Sequence, residues 1–209
     1  MTAFTESSTY RHGNLRGCHA YVLPDLQRMV AGLAPGARVL DVGCGNGSLT
    51  GEFAKMGYDV TGVDLSREGV EQARRHCPGG RFELLGADEH LLKNLGVEPF
   101  DAVYSVEVIE HLYDPAALLA GCCAALKPGG MLLISTPYHG YLKNLAISLA
   151  NGWDKHADPL TGGGHINFYS MRKLREAVER AGFERVEIMG SGRLPWLWKS
   201  MILRGHRAA

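Results

Sequence analysis

Apolar residues along this chain follow two alternating rhythms. Over residues 18–33 they recur near helical spacing (Val22, Leu26, Met29, Val30, Leu33), and Ala34-Pro35-Gly36 ends that segment. Short apolar runs then fall at 38–42, 58–63, 81–85, 100–106 and 131–135, and each reads as a strand. Helical patterns separate them. Residues 48–56 form one, closed by Gly57; Ser66 caps another containing Val70, Ala73 and Arg74; Asp114-Pro115 starts a third that runs to about residue 126. Lys127-Pro128-Gly129-Gly130 is a turn. Apolar strands alternating with helices imply a parallel sheet covered on both faces, an α/β fold.

The rhythm breaks over residues 137–169, which carry His139, His156 and His165, a helical stretch at 142–149 and the run Gly162-Gly163-Gly164. A long insertion after a late strand is usually a lid or binding loop. Regular structure resumes with Ser170 capping a helix (Leu174, Ala177, Val178, Ala181), Gly182 ending it, a strand at 183–188 and a last strand candidate at 195–203.

The most informative junction is VLDVGCGNGSL at 39–49, where a β-branched strand meets three glycines and then a helix. Such a turn lets the backbone approach a ligand, and the helix behind it presents unpaired N–H groups. Asp64 ends the second strand, so it should lie beside this turn, where open α/β sheets bind ligands. A carboxylate there suits the two hydroxyls of a ribose. The spacing is D-x-G-x-G-x-G, with no glycine where a pyrophosphate loop of the G-x-G-x-x-G type requires one. Asp41 would also repel a pyrophosphate but attract an ammonium and a sulfonium. Both features favour S-adenosylmethionine.

Composition narrows the classes further. The 209 residues, 45% hydrophobic, suit one domain with a sizeable core, and 22 basic residues balance 22 acidic ones, so no nucleic-acid partner is expected. Five cysteines without C-x-x-C pairs argue against a disulfide framework or a structural zinc, and no acidic ligand cluster for a metal stands out. With no apolar leader in the first twenty residues and no long apolar span, a cytoplasmic location is expected.

VLDVGCGNGSL (39–49), GVDLS (62–66), FDAVYSVEVIEHLYDP (100–115) and LKPGGMLLISTP (126–137) resemble the class I S-adenosylmethionine-dependent methyltransferases, most of all the small-molecule O-methyltransferases of the ubiquinone-biosynthesis type. Weaker similarity runs through GHINFYSMRKLREAVERAGF at 164–183. The resemblance implies a Rossmann-like fold: a seven-stranded mixed sheet in the order 3-2-1-4-5-7-6, its last strand antiparallel, with helices on both faces. One domain would span 1–209, with an arm and helix at 1–36 and the lid or acceptor insertion at 137–169. It further implies that Asp41, Gly43, Gly45 and Asn46 line the methionine half of the cofactor, with Cys44 in the same cofactor-binding loop in a packing role, that Asp64 holds its ribose and that Leu65 packs on adenine. Val106 and Glu107 would lie beside the methionine moiety or the sulfonium. Where many relatives place an aspartate against the adenine amino group this chain has Ala87, leaving Asp88, Glu89 or backbone for that contact.

The resemblance implies a small-molecule acceptor, expected to be methylated on a hydroxyl or carboxyl oxygen. A hydroxyl acceptor needs a base. His165, after the glycines and before Phe168 and Tyr169, is the first choice, and His111 in Glu110-His111 is the second; a histidine holding the lid closed is the alternative for His165, and a satisfied structural histidine that for His111. Tyr10, His12, Tyr21, Tyr138 and His139 complete the acceptor-site candidates. Residues 142–153 and 194–204 combine apolar residues with tryptophan and a cation, a pattern shared by a weak membrane contact, a homodimer face and a hydrophobic pocket. An N- or S-methyltransferase, a nicotinamide oxidoreductase and a non-catalytic cofactor-binding regulator are the competing functions.

Overall fold

A computed structural model describes residue 17 and residues 19–153 and 164–209. Seven strands, β1 (Arg38–Val42), β2 (Asp59–Asp64), β3 (Arg81–Leu84), β4 (Phe100–Val106), β5 (Leu126–Pro137), β6 (Phe183–Ser191) and β7 (Ser200–Arg207), form one sheet in the order β3-β2-β1-β4-β5-β7-β6. The first five run parallel, and β7 pairs antiparallel with both β5 and β6. The expected order and the antiparallel last strand are both present.

Alternation along each strand decides which helices cover which face. Val39 and Tyr104 point to one side with α1 (His19–Val30), α2 (Ser48–Lys55) and α3 (Arg67–His76), a layer in which Phe53 stacks on Tyr104 with ring centroids 4.4 Å apart. Leu40, Val42 and Val103 point to the other, against α4 (Leu91–Leu95), α5 (Pro115–Ala125) and α7 (Met171–Arg180). Both faces are therefore covered, as expected of a largely parallel sheet. Helix α6 (Tyr141–Leu149) is the exception, since none of its nine residues is fully buried.

The start signals act as expected. Ser66, Asp114 and Ser170 each accept a hydrogen bond from the backbone N–H three residues on. Two details differ. The last strand begins at Ser200 and not at 195, because its register is set by β5, with Ser135 opposite Ile202, while 192–199 form a turn closed by Lys199 N–H on the carbonyls of Ser191 and Gly192. Helix α4 was not foreseen; five residues are too few to establish a periodicity. Among the described residues no helix is long and apolar enough to cross a membrane.

Candidate functional site

The glycine turn is built as the sequence implies. Gly43, Gly45 and Gly47 all have positive φ (84°, 52° and 72°). Two of them also leave no room for a side chain: a Cβ on Gly43 would lie 2.4 Å from Val108 Cγ2, and one on Gly47 would lie 2.7 Å from Ala73 Cβ. The N–H groups of Gly43 and Cys44 both donate to the Val63 carbonyl, tying the turn to the end of β2. Asn46 Oδ1 accepts from Ser48 N–H at 3.2 Å and helps start α2.

Asp64 sits where a ribose ligand is expected, and the protein fixes its orientation. Its Oδ2 accepts from Gly45 N–H at 2.8 Å and its Oδ1 from Ser66 N–H at 2.7 Å. Two backbone N–H groups, one on each oxygen, thus hold the carboxylate at the carboxyl end of β2. Leu65 follows it with 54% of its surface exposed, an apolar platform at the mouth of the cleft. Across from it, Asp88 uses Oδ1 to accept His90 N–H at 2.9 Å and Glu89 lies on the surface beside His90. Asp88 is thus occupied as a local turn acceptor.

Asp41 lies beneath the turn. It is 2% exposed and its Oδ2 accepts from the Thr50 hydroxyl of α2 at 2.6 Å. Burial pushes its carboxyl up to about 7; the hydroxyls of Thr50 and Tyr104 oppose this, and the charge of Asp64 adds to it. Burial, helped by the Asp41 and Asp64 charges, also holds the neighbouring Cys44 thiol protonated, so packing is its role.

Two more carboxylates close the other end of the cleft. Glu107 has positive φ (56°) directly after β4, donates its N–H to the Ser135 carbonyl and accepts the Ser135 hydroxyl at 2.8 Å. Burial raises its carboxyl, and the hydroxyls of Ser135 and Ser200 and the Lys143 ammonium oppose that rise. Glu110 is fully buried in a short 3-10 turn, Ile109–His111. Its Oε2 accepts the Thr136 hydroxyl at 3.0 Å, while Oε1 has no hydrogen-bond partner and lies 3.9 Å from His111 Nε2. Burial first and the charge of Glu107 second raise the Glu110 carboxyl.

His165 is brought to this turn from far along the chain. Ile166 and Asn167 N–H groups both donate to the Glu110 carbonyl, and Asn167 Nδ2 donates to the Leu112 carbonyl at 2.6 Å. The His165 ring then lies 5.0 Å from that of His111. His111 Nδ1 is 3.2 Å from the Gly164 carbonyl, which can only accept, so Nδ1 is the donor in that bond. Ligand atoms of Glu110, His111 and His165 fall within 4.8 Å of one another, a set able to hold a metal ion. The sequence shows no such cluster because 54 positions separate its two histidines.

The remaining candidates divide. Tyr138 is buried against Trp198, with centroids 5.1 Å apart, and His139 packs edge-on to Phe168 at 4.8 Å beside Asn144. Tyr21 lies under the β6–β7 turn, its hydroxyl 3.4 Å from Ser200 Oγ, which places it one hydroxyl away from Glu107. Tyr10 and His12 lie outside the described residues. Ser135, Thr136, Ser200 and Lys143 were missed. A Ser-Thr pair ending an otherwise apolar strand was the available signal for the first two.

A methyltransferase domain model matches residues 12–188. The chain is 40% identical over 201 residues to a ubiquinone biosynthesis O-methyltransferase of Xylella fastidiosa strain 9a5c, covering 94% of this chain and 81% of that one. A relative of the same description from Aromatoleum aromaticum is 34% identical over 164 residues, covering 77% and 69%. Among solved structures, the magnesium protoporphyrin IX methyltransferase of Synechocystis PCC 6803, with bound S-adenosylhomocysteine, has the same fold (TM-score 0.65, 21% identity, 90% and 82% coverage). With its sheet order, its glycine turn and these matches, the chain belongs to the methyltransferase domain family.

Proposed function

We propose that this protein transfers a methyl group from S-adenosylmethionine to an oxygen of a small-molecule acceptor. The observation that carries the reading is that two chemically distinct groups of residues follow the carboxyl ends of the adjacent strands β2, β1 and β4. In one stand the glycine turn, the oriented Asp64 and the exposed Leu65, suited to a nucleoside. In the other stand half-buried Glu107 and the Glu110–His111–His165 cluster, suited to moving a proton. The relatives' description as O-methyltransferases supports oxygen as the acceptor atom. The sulfonium supplies an activated methyl carbon, so this chain's task is to align the acceptor with it and exclude water.

In that step the acceptor oxygen bonds the methyl carbon, the carbon–sulfur bond breaks with its electrons going to sulfur, and the acceptor's proton leaves. His111, oriented by its Nδ1 bond to the Gly164 carbonyl, is the candidate to take it, with His165 as the adjacent alternative. Assay of S-adenosylhomocysteine release over a panel of phenols, carboxylates, amines and thiols tests the reaction. Turnover on amines or thiols alone would overturn the oxygen assignment, and tight NADH binding with no response to S-adenosylmethionine would overturn the class. His111→Gln and His165→Gln should each lower kcat by about 100-fold or more if that ring is the base, with cofactor affinity unchanged.

The same cluster favours a second reading. A divalent cation on Glu110, His111 and His165 would bind the acceptor oxygen and make it more acidic. Loss of turnover on chelation and its return with added Mg2+ or Zn2+ selects the cation; turnover indifferent to chelator selects the proton reading.

A further inference from the structure

Helix α6 stands off the body of the protein, and the space behind it has a defined chemistry. Between α6 and the β6–β7 turn lies a cavity of about 690 Å³, within the usual size range of small-molecule sites. Ala146, Ile147, Leu194 and Leu197 form apolar walls, Lys143 and Arg193 contribute two cations, and no acidic residue lines it. Lys143 Nζ donates to the Tyr138 carbonyl at 2.7 Å, which anchors the cationic corner at the end of β5, and its charge acts on Glu107. Burial and the nearby Arg193 charge both disfavour the Lys143 ammonium. Among the described residues neither cation forms a salt bridge, and Arg193 holds the left-handed backbone region (φ 66°) unfavourable to a side chain.

Resting on the methyltransferase reading above, we propose that this cavity is the acceptor subsite, and that it takes an apolar molecule bearing a carboxylate, its apolar body between α6 and the β6–β7 turn and its anion between Lys143 and Arg193. Two like charges on one open groove repel until an anion lies between them, and apolar walls favour a hydrocarbon body. A neutral or cationic acceptor would leave that repulsion in place.

The test uses the full chain with S-adenosylhomocysteine bound and monomeric decanoate and 1-decanol as probes, followed by tryptophan fluorescence and calorimetry. Decanoate should bind saturably, one per chain, at least about tenfold more tightly than decanol. Lys143→Met and Arg193→Leu should each reduce that preference, and the double variant should abolish it while decanol binding persists. Ala146→Trp, which fills the cavity, should remove both ligands yet keep S-adenosylhomocysteine affinity, showing an intact fold. Equal binding of acid and alcohol, or undiminished preference in the double variant, overturns the proposal. So does adsorption to phosphatidylglycerol vesicles without saturable decanoate binding, which would make this face a membrane contact. Failure to bind S-adenosylhomocysteine at all would instead strike the methyltransferase reading.

Discussion

Asp41 and Asp64 show how two acids in one loop come to differ. Asp64 is held by two backbone N–H groups at the surface of the cleft, whereas Asp41 is sealed below it with a carboxyl pushed up to about 7 from 3.8. For a carboxyl raised on folding, stability is complete below the unfolded pKa and declines as pH rises toward the folded one. Asp41→Asn keeps an acceptor for the Thr50 hydroxyl without the charge. It should match the wild type near pH 4 and exceed it by about 4 kcal/mol at pH 8 in urea denaturation, most of the effect arising between those values. An equal or lower stability at pH 8 would mean that the buried charge is better compensated than this geometry indicates. Asp64→Ala removes acceptors of two backbone bonds and should weaken S-adenosylmethionine binding by about tenfold or more, read by calorimetry.

At the scale of elements, the turns and caps were legible because their causes are local. Gly43 is required twice, by its φ of 84° and by Val108, so Gly43→Ala should cost about 2–4 kcal/mol and abolish cofactor binding. Asp114→Ala loses only a cap on α5 and should cost about 1 kcal/mol, with cofactor affinity retained; thermal melts and titrations compare the two. The last strand was placed five residues early because Pro195–Leu197 read as apolar, but antiparallel pairing with β5 sets the boundary and no local rule states it. Helix α4 escaped for the opposite reason. It is held by burial of Leu91 and Leu95 against the far side of the sheet, a property of the packing and not of five residues.

The whole molecule matters most at the catalytic end, where residues distant in sequence converge. Asn167 and the backbone beside it pin the His165 segment to the turn at 109–112. Asn167→Ala should therefore lower kcat by about tenfold while leaving cofactor affinity unchanged, since the nucleoside end is built from other elements; a parallel loss of cofactor affinity would show the two ends to be one unit. The sequence by itself determined the α/β class, the sheet order through its resemblance, the glycine turn and the acid after β2, because each depends on residue type and spacing within a few positions. Only the tertiary structure decided that Asp41 lies under the loop, that Glu110, His111 and His165 form one cluster and that Lys143 and Arg193 face one cavity. Burial and the meeting of remote segments are properties of the packed chain, and no local pattern of residues contains them.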